Sequence, residues 1–377
     1  MTVNEVRRAI IDASPSETSL SGADPNPEWV YLPLSHAKAL RIETSLVLGS
    51  RGVGKSFWWT ALQSEAVRKA LAVYLPDLSG LTVAAGYGEK PNIKSYPDAG
   101  TLQMLIDQGH EPMDVWRAVA VRWIARIRNL PEPAESWEMT VIRVKNDPES
   151  LAKNMESADA FCGEHKEQGL ILFDALDRTG PDWRTMDRIV KDLLRFVLYI
   201  KPFRNLHAKV FLRNDQLEGR DVKVFPDASK LLSTRVELFW GLLDLHGLLW
   251  QYFINAPGEG GEIMRMILQE ASGLKAVEQG GVYHLPEELR RDEDRQRTSF
   301  EELAGRWMGK DPRRGRPYTW SVSHLADGHG RVSPRSFIAA ILSAAEDGMK
   351  RYPDHDRPLH YESIKRGVQK ASEIRIS

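Results

Sequence analysis

Residues 49–56 read Gly-Ser-Arg-Gly-Val-Gly-Lys-Ser and fit the spacing G-x-x-x-x-G-K-[ST] without a mismatch. The run before this loop, residues 45–48, is short and apolar, as a buried strand is. Residues 57–72 after it repeat apolar positions and contain few helix breakers. The order is therefore strand, glycine-rich loop, helix, which is the context that gives this spacing its meaning. It predicts an α/β fold built around that loop.

The residue types in the loop are suited to holding phosphate. Glycines let successive backbone N–H groups turn toward phosphate oxygens, the Lys55 ammonium neutralises β- and γ-phosphate charge, and the Ser56 hydroxyl ligates Mg²⁺. The first turn of the following helix adds partial positive charge. We therefore predict an ATP and Mg²⁺ site, in which the nucleotide contacts Gly49, Ser50, Arg51, Gly52, Val53, Gly54, Lys55, Ser56 and Phe57.

Composition narrows the class of protein. The chain has 377 residues, 42% hydrophobic and 27% charged, so it can bury a sizeable core in two or three domains. Its net charge of −1 gives no global basic field for nucleic acid. Cys162 is the only cysteine, which excludes an intrachain disulfide and suits a reducing compartment. No apolar run has the length of a membrane span, so we expect a cytoplasmic protein without a membrane partner.

Predicted strands alternate with predicted helices up to residue 240, and helices alone follow. Strand candidates lie at residues 45–48, 81–85, 169–174, 208–213 and 236–240. This alternation predicts a three-layer domain with a central parallel sheet, followed by a helical region. The predicted boundaries are an N-terminal segment at 1–28, the α/β domain at 29–240, a helical lid at 241–296 and a helical, winged-helix-like region at 297–377.

An acid ends the third predicted strand. Asp174 follows a continuous apolar run, which is what a strand covered on both faces needs. With the loop in place, Asp174 is the predicted Mg²⁺ partner of Ser56. Asp177 either positions the attacking water or caps the next helix, and the sequence leaves both roles open.

These acids resemble the second acidic motif of the STAND class of signalling ATPases, which has four apolar residues, Asp, a small residue, an apolar residue and Asp, often followed by Glu. Asp174, Ala175, Leu176 and Asp177 match it in order, and Arg178 stands where the Glu is expected. The resemblance implies that Asp177 is a catalytic residue and that hydrolysis is slow, because a carboxylate that would help to activate water is missing at 178.

Two arginines extend the resemblance. The segment Lys-Val-Phe-Leu-Arg looks like the STAND strand that ends in a sensor arginine, so Arg213 would contact the γ-phosphate. Residues 330–335 look like the second sensor of AAA+ and STAND lids, so Arg335 would reach the nucleotide from the lid. The class also implies a nucleotide-dependent switch or assembly subunit that forms a homo-oligomer, as in bacterial antiphage defence. Because the chain has no repeat array, sensing or effector work would fall to a separate protein chain.

Two other functions remain open. Residues 301–377 contain fourteen Lys and Arg against ten Asp and Glu. This basic balance fits a DNA-directed AAA+ ATPase with a C-terminal winged-helix module. A P-loop kinase acting on a small molecule is disfavoured, since the chain is long and lacks a short arginine-rich lid.

Overall fold

The computed structural model describes residues 1–13, 25–131, 133, 135–218, 222 and 224–376. It divides into two compact units. The α/β unit is Lys38–Leu238, and the helical unit is Met1–Ala37 together with Phe239–Ser377. Residues 14–24 of the predicted N-terminal segment lie outside the described part of the chain.

A parallel sheet forms the centre of the α/β unit. In the described residues it has five strands, in the order β2-β3-β4-β1-β5. Every pairing in this sheet is parallel, so the carboxyl ends of the strands lie at one edge. The strands are β1 Leu46–Gly49, β2 Leu81–Tyr87, β3 Gln168–Phe173, β4 Leu206–Arg213 and β5 Val236–Glu237.

Helices cover the sheet. The helix Lys55–Gln63 packs against β1, β2 and β4, and the helices Pro148–His165 and Trp183–Ile200 pack against the central strands. Inner strands such as β3 are buried along almost their whole length, which explains their continuous apolar sequence. Helices of this unit are Ala37–Leu40, Lys55–Gln63, Glu65–Leu71, Ala99–Asp107, Pro112–Ile127, Trp137–Asn146, Pro148–His165, Trp183–Ile200, Asn214–Glu218 and Ala228–Leu232, with single 3-10 turns at Pro76–Leu78 and Leu176–Arg178. The predicted α/β fold with a central parallel sheet and a helical region after it is confirmed.

The helical unit has a separate apolar core, to which the N-terminal helix contributes Val6, Ala9 and Ile10. Its strands are β6 Val277–Gln279 and β7 Val282–His284, an antiparallel hairpin. Its helices are Val3–Asp12, Leu242–Ile254, Glu259–Ser272, Glu287–Arg291, Glu293–Ala304, Pro317–Leu325, Pro334–Arg351 and Tyr361–Ile376, with 3-10 turns at Pro27–Trp29, Leu34–His36 and Pro312–Arg314. No described helix in either unit is both long and apolar enough to cross a membrane.

The N-terminal residues belong to this unit, which differs from the predicted boundaries at 28 and 29. Arg7 is fully buried, and its guanidinium donates to the carbonyls of Tyr352, Pro353, Arg357 and Pro358. The next segment is tied to the same unit, because the Leu34 N–H and the Ser35 hydroxyl both donate to the Asp244 carboxylate. Contacts between residues so far apart in the chain leave no signature in local composition.

The C-terminal part of the helical unit differs from a winged-helix module. The described residues from 297 to 376 form helices and a 3-10 turn and contain no strand. The hairpin β6–β7 instead precedes this region, inside the segment predicted to be a helical lid. The helical expectation for 297–377 therefore holds in the described residues, and the winged-helix expectation does not.

Candidate nucleotide site

The glycine-rich loop joins β1 to the helix Lys55–Gln63 with the backbone that its glycines permit. Gly52 and Gly54 have φ values of 80° and 106°, in the left-handed region that other residues rarely adopt. A Cβ on Gly49 would lie 2.5 Å from Cγ1 of Val53, so the loop closes tightly on its first residue. Gly54 occupies the N-cap position and has no side chain that could accept hydrogen bonds from the first turn. The first N–H groups of the helix are thus left for a ligand.

Lys55 lies over this loop. Its ammonium donates to the carbonyls of Gly49 and Ser50, both at 2.9 Å. Burial lowers the pKa of Lys55, and the nearby Asp174 carboxylate opposes that shift. The cation is therefore partly desolvated beside the loop backbone, where an anionic ligand would interact with it strongly.

Asp174 and Ser56 meet at the edge of the sheet. Strand β4 separates β1 from β3, yet the Ser56 hydroxyl and the Ala175 N–H lie close enough to the Asp174 carboxylate to lower its pKa. Asp174 is only 5% exposed, and burial raises the pKa of its carboxyl group above the ordinary range in spite of these polar neighbours. A buried carboxylate next to a hydroxyl supplies the hard oxygen ligands that Mg²⁺ prefers.

Arg213 ends β4 at the same edge. Its Nε and Nη2 donate to the two carboxylate oxygens of Asp215, at 3.0 and 2.6 Å, and its Nη1 donates to Asp177 at 3.4 Å. The hydrogen bond to Asp215 is the main reason why the pKa of Arg213 is raised. The structure thus brings Asp177 and Arg213 together. Neither their catalytic roles nor the contact of Arg213 with phosphate is tested by this arrangement.

The turn after Asp174 holds two further residues of the acidic motif. Ala175 has a φ of 56°, a left-handed conformation that is uncommon for residues other than glycine. This turn leads into Leu176–Arg178, where the Arg178 guanidinium pairs with Glu89. A carboxylate therefore lies beside Arg178. It belongs to Glu89, which follows strand β2.

The other loop residues that are predicted to contact the nucleotide lie in the α/β unit, whereas Arg335 lies in the helical unit. In the loop, Ser50 and Gly54 are half-buried, Arg51 is exposed and Val53 is buried. Phe57 lies in the first turn of the helix, and its ring contacts Trp58 edge-on at 5.1 Å. These positions are compatible with the predicted contacts and do not test them.

Arg335 belongs to the helical unit, where it is exposed in the first turn of Pro334–Arg351. This helix begins at Pro334. Ser333 occupies the N-cap position, although its side chain makes no capping hydrogen bond. The predicted contact of Arg335 with the nucleotide stays a prediction.

Sequence reasoning missed two polar residues of this unit. Glu89 lies two residues beyond the end of β2, in a segment that the sequence marks only as loop. Lys209 is completely buried within β4 and donates to the carbonyls of Ala39, Arg41 and Thr44, which fixes the segment before β1. A lysine inside an apolar strand was the one available sequence signal.

Comparisons with known proteins give a limited answer. No family model matches the chain, and no curated protein matches its sequence. The solved structures that match include the ORC2 protein of Aeropyrum pernix, described in ADPNP-ADP complexes. That chain is 12% identical, the match covers 92% of this chain and 72% of that one, and the TM-score is 0.39. A likeness of this degree carries no argument about function, so the site is judged from its own geometry.

The residues present fit an Mg²⁺–triphosphate group. The loop has left-handed glycines where a ligand must approach the backbone, a cation beside that backbone, and a hydroxyl paired with a buried carboxylate. Each feature matches one part of such a ligand: oxygens for the N–H groups, charge for Lys55, and the metal for Ser56 and Asp174.

Proposed function

We propose that this chain binds ATP with Mg²⁺ at residues 49–56 and hydrolyses it, as a nucleotide-dependent switch or assembly subunit of the AAA+/STAND kind. The observation that carries the proposal is the proximity of the Ser56 hydroxyl to the buried Asp174 carboxylate. A strand that is distant in sequence delivers a carboxylate to the loop serine, and a phosphate-binding turn without a catalytic function has no need of that pairing.

Each side chain then has a task in this proposal. Bound Mg²⁺ neutralises phosphate charge when the nucleotide is present. Ser56 and Asp174 hold that ion, Lys55 moves from the loop carbonyls to the β- and γ-phosphates, and backbone N–H groups of the loop hold the remaining oxygens. Asp177 orients the water near the γ-phosphate. These contacts bind and position the substrate, which is where most catalysis of phosphoryl transfer arises.

Arg213 is the proposed sensor of the γ-phosphate. In the structure its guanidinium is held by Asp215 and Asp177. A γ-phosphate offers competing charged oxygens, so ATP favours a state in which Arg213 turns toward the nucleotide, whereas ADP does not. A ligand that binds two states with different affinity shifts their populations, as a switch requires. Arg335 is proposed as a second contact to the nucleotide, and this proposal rests only on the resemblance of residues 330–335 to AAA+ and STAND lids.

The wider role follows from the resemblance to STAND and AAA+ proteins. It includes a homo-oligomer, a separate effector or sensor chain, a cytoplasmic location and a part in bacterial antiphage defence. Measuring the mass of the protein in solution with ADP and with a non-hydrolysable ATP analogue tests the oligomer. A mass that is the same with either nucleotide would oppose an assembly switch.

The site is tested with Lys55→Ala. We expect wild-type protein to gain thermal stability with Mg²⁺–ATP and to release phosphate, and the variant to do neither. Lys69→Ala is the matched control, because Lys69 is an exposed lysine of the next helix, paired with Glu65. Unchanged nucleotide affinity in Lys55→Ala would contradict the site. Release of phosphate without any phosphorylated acceptor separates hydrolysis from a small-molecule kinase.

One surface favours a DNA-directed ATPase as the second candidate. The loop 305–316 exposes Arg306, Lys310 and Arg314, for which the described residues provide no ion pair, beside the half-buried Trp307. Cations next to an aromatic ring suit a nucleic-acid backbone. Binding of a DNA duplex should then weaken steeply with salt, and replacing the three cations by Ala should flatten that slope. Duplex binding that is equal in the variant would remove this candidate.

A further inference from the structure

Strands β2 and β3 leave the sheet side by side. Tyr87 pairs with Phe173 after a shift in register between Ala85 and Tyr87, and the Asp174 N–H donates to the Tyr87 carbonyl at 3.1 Å. Glu89 follows β2 by two residues, as Asp174 follows β3 by one. The topology therefore places Glu89 at the edge that carries Asp174 and the loop.

Packing also brings this chain segment to the helix that follows the glycine-rich loop. A Cβ on Gly88 would overlap the indole ring of Trp59, so the backbone of residue 88 is in close contact with that ring. Trp59 lies one turn after Lys55, and its indole N–H donates to the Leu172 carbonyl at 3.3 Å. The backbone at Glu89 therefore lies next to both the helix Lys55–Gln63 and the end of β3.

The other carboxylates of this edge already have partners. Asp174 lies beside the Ser56 hydroxyl, and Asp177 and Asp215 both accept from Arg213. Glu89 pairs with Arg178, and the two side chains are 60% and 62% exposed. An ion pair in such an exposed position contributes little to stability because water and salt screen it, so a ligand can readily displace Arg178 from the Glu89 carboxylate. Arg178 is also the residue that replaces the expected glutamate of the acidic motif.

We propose that Glu89 supplies the missing carboxylate and is the general base for the attacking water, with Arg178 as its positioning residue. This inference rests on the proposed ATP hydrolysis. The water oxygen bonds to the γ-phosphorus while the bond from that phosphorus to the bridging oxygen breaks, and its electron pair leaves with ADP. The Glu89 carboxylate accepts the proton that the water loses and later releases it to solvent. The products are ADP and phosphate.

The experiment compares Glu89→Gln with wild type in calorimetric ATP binding, in thermal stability without ligand, and in single-turnover phosphate release. We expect phosphate release to fall roughly 10²-fold, the typical contribution of a general base, while ATP affinity and stability stay unchanged. The nucleotide still bound after one wild-type turnover time should be ATP in the variant and ADP in wild type. Glu149→Gln is the matched control, since Glu149 is also exposed and is paired with Lys153.

A rescue variant makes the test specific. Arg178→Glu placed in the Glu89→Gln protein restores a carboxylate where the motif has one, and we expect it to recover about tenfold in rate. A Glu89→Gln rate within about twofold of wild type would overturn the inference. Loss of ATP affinity together with rate would also overturn it. Wild-type protein that binds ATP and releases no phosphate would overturn it while leaving the binding site intact.

Discussion

Replacement of Asp174 by Asn should stabilise the ligand-free protein and abolish its response to Mg²⁺–ATP. Asp174 is 5% exposed, and burial is the first cause of its raised pKa, so the folded protein holds a carboxylate that water would solvate better. Asn retains an oxygen that can accept from Ser56. Removing the charge should add about 1 kcal/mol of stability, as changes that relieve strained functional sites commonly do. For a unit of this size that is a rise of roughly 2–4 °C in Tm.

The pH dependence of this effect has a definite sign. A carboxyl group whose folded pKa is raised makes folding more favourable when it is protonated, and that contribution is lost as pH rises through the folded pKa. The stability gap between the Asp174→Asn variant and wild type should therefore be largest at neutral pH. It should close as pH falls through the raised pKa toward the ordinary value of 3.8.

The assay is thermal unfolding of both proteins from pH 4 to pH 8, with and without Mg²⁺–ATP. Asp147→Asn is the control, because Asp147 caps the helix Pro148–His165 and Asn caps a helix equally well. An Asp174→Asn protein that is less stable than wild type at pH 7, or a stability gap that does not change with pH, would show that the buried charge does not destabilise the folded protein. Ligand stabilisation that is equal in both proteins would refute the role of Asp174.

Three further predictions concern backbone, sensor and core. Gly54→Ala and Gly273→Ala both force Ala into a left-handed conformation, and each should lower the free energy of unfolding by about 1 kcal/mol in thermal unfolding. Only Gly54→Ala should also weaken ATP binding, as measured by calorimetry. Equal losses of ATP affinity in both variants would count against the glycine-rich loop as the binding site. Arg213→Ala should reduce the preference for ATP over ADP about tenfold, because a charge-assisted hydrogen bond is lost. The control Arg195→Ala removes an exposed partner of Asp192 and should leave this preference unchanged. Lys209→Met should destabilise the protein by about 3 kcal/mol in denaturant unfolding, because three carbonyls lose their donor. Lys153→Met is the exposed control. An equal loss of stability in the two variants would show that the three carbonyls find other partners.

The sequence predicts those parts of the site that lie in contiguous residues. Residues 49–56 and the apolar run ending at Asp174 carry their structural context next to them, so strand, loop and acid could all be placed. Arg213 was located by the same means, as the last residue of a strand.

The rest depends on contacts between distant residues. Glu89 comes close to the acidic motif only because β2 pairs with β3, and nothing local to residue 89 indicates that pairing. Asp215 follows Arg213 by two residues, but only the turn into Asn214–Glu218 aims its carboxylate back at the guanidinium. The grouping of the N-terminal helix with the C-terminal residues depends on Arg7, whose burial beneath backbone carbonyls is unusual for a charged residue.

Calorimetric titration of a non-hydrolysable ATP analogue, with Mg²⁺ and with EDTA, into wild type and Asp174→Asn tests whether Ser56 and Asp174 bind the metal. We expect Mg²⁺ to strengthen binding to wild type by at least about tenfold and the variant to lose this gain. Binding that is indifferent to Mg²⁺ in wild type, or a full Mg²⁺ effect in the variant, would contradict the pairing of Ser56 and Asp174 as the metal site.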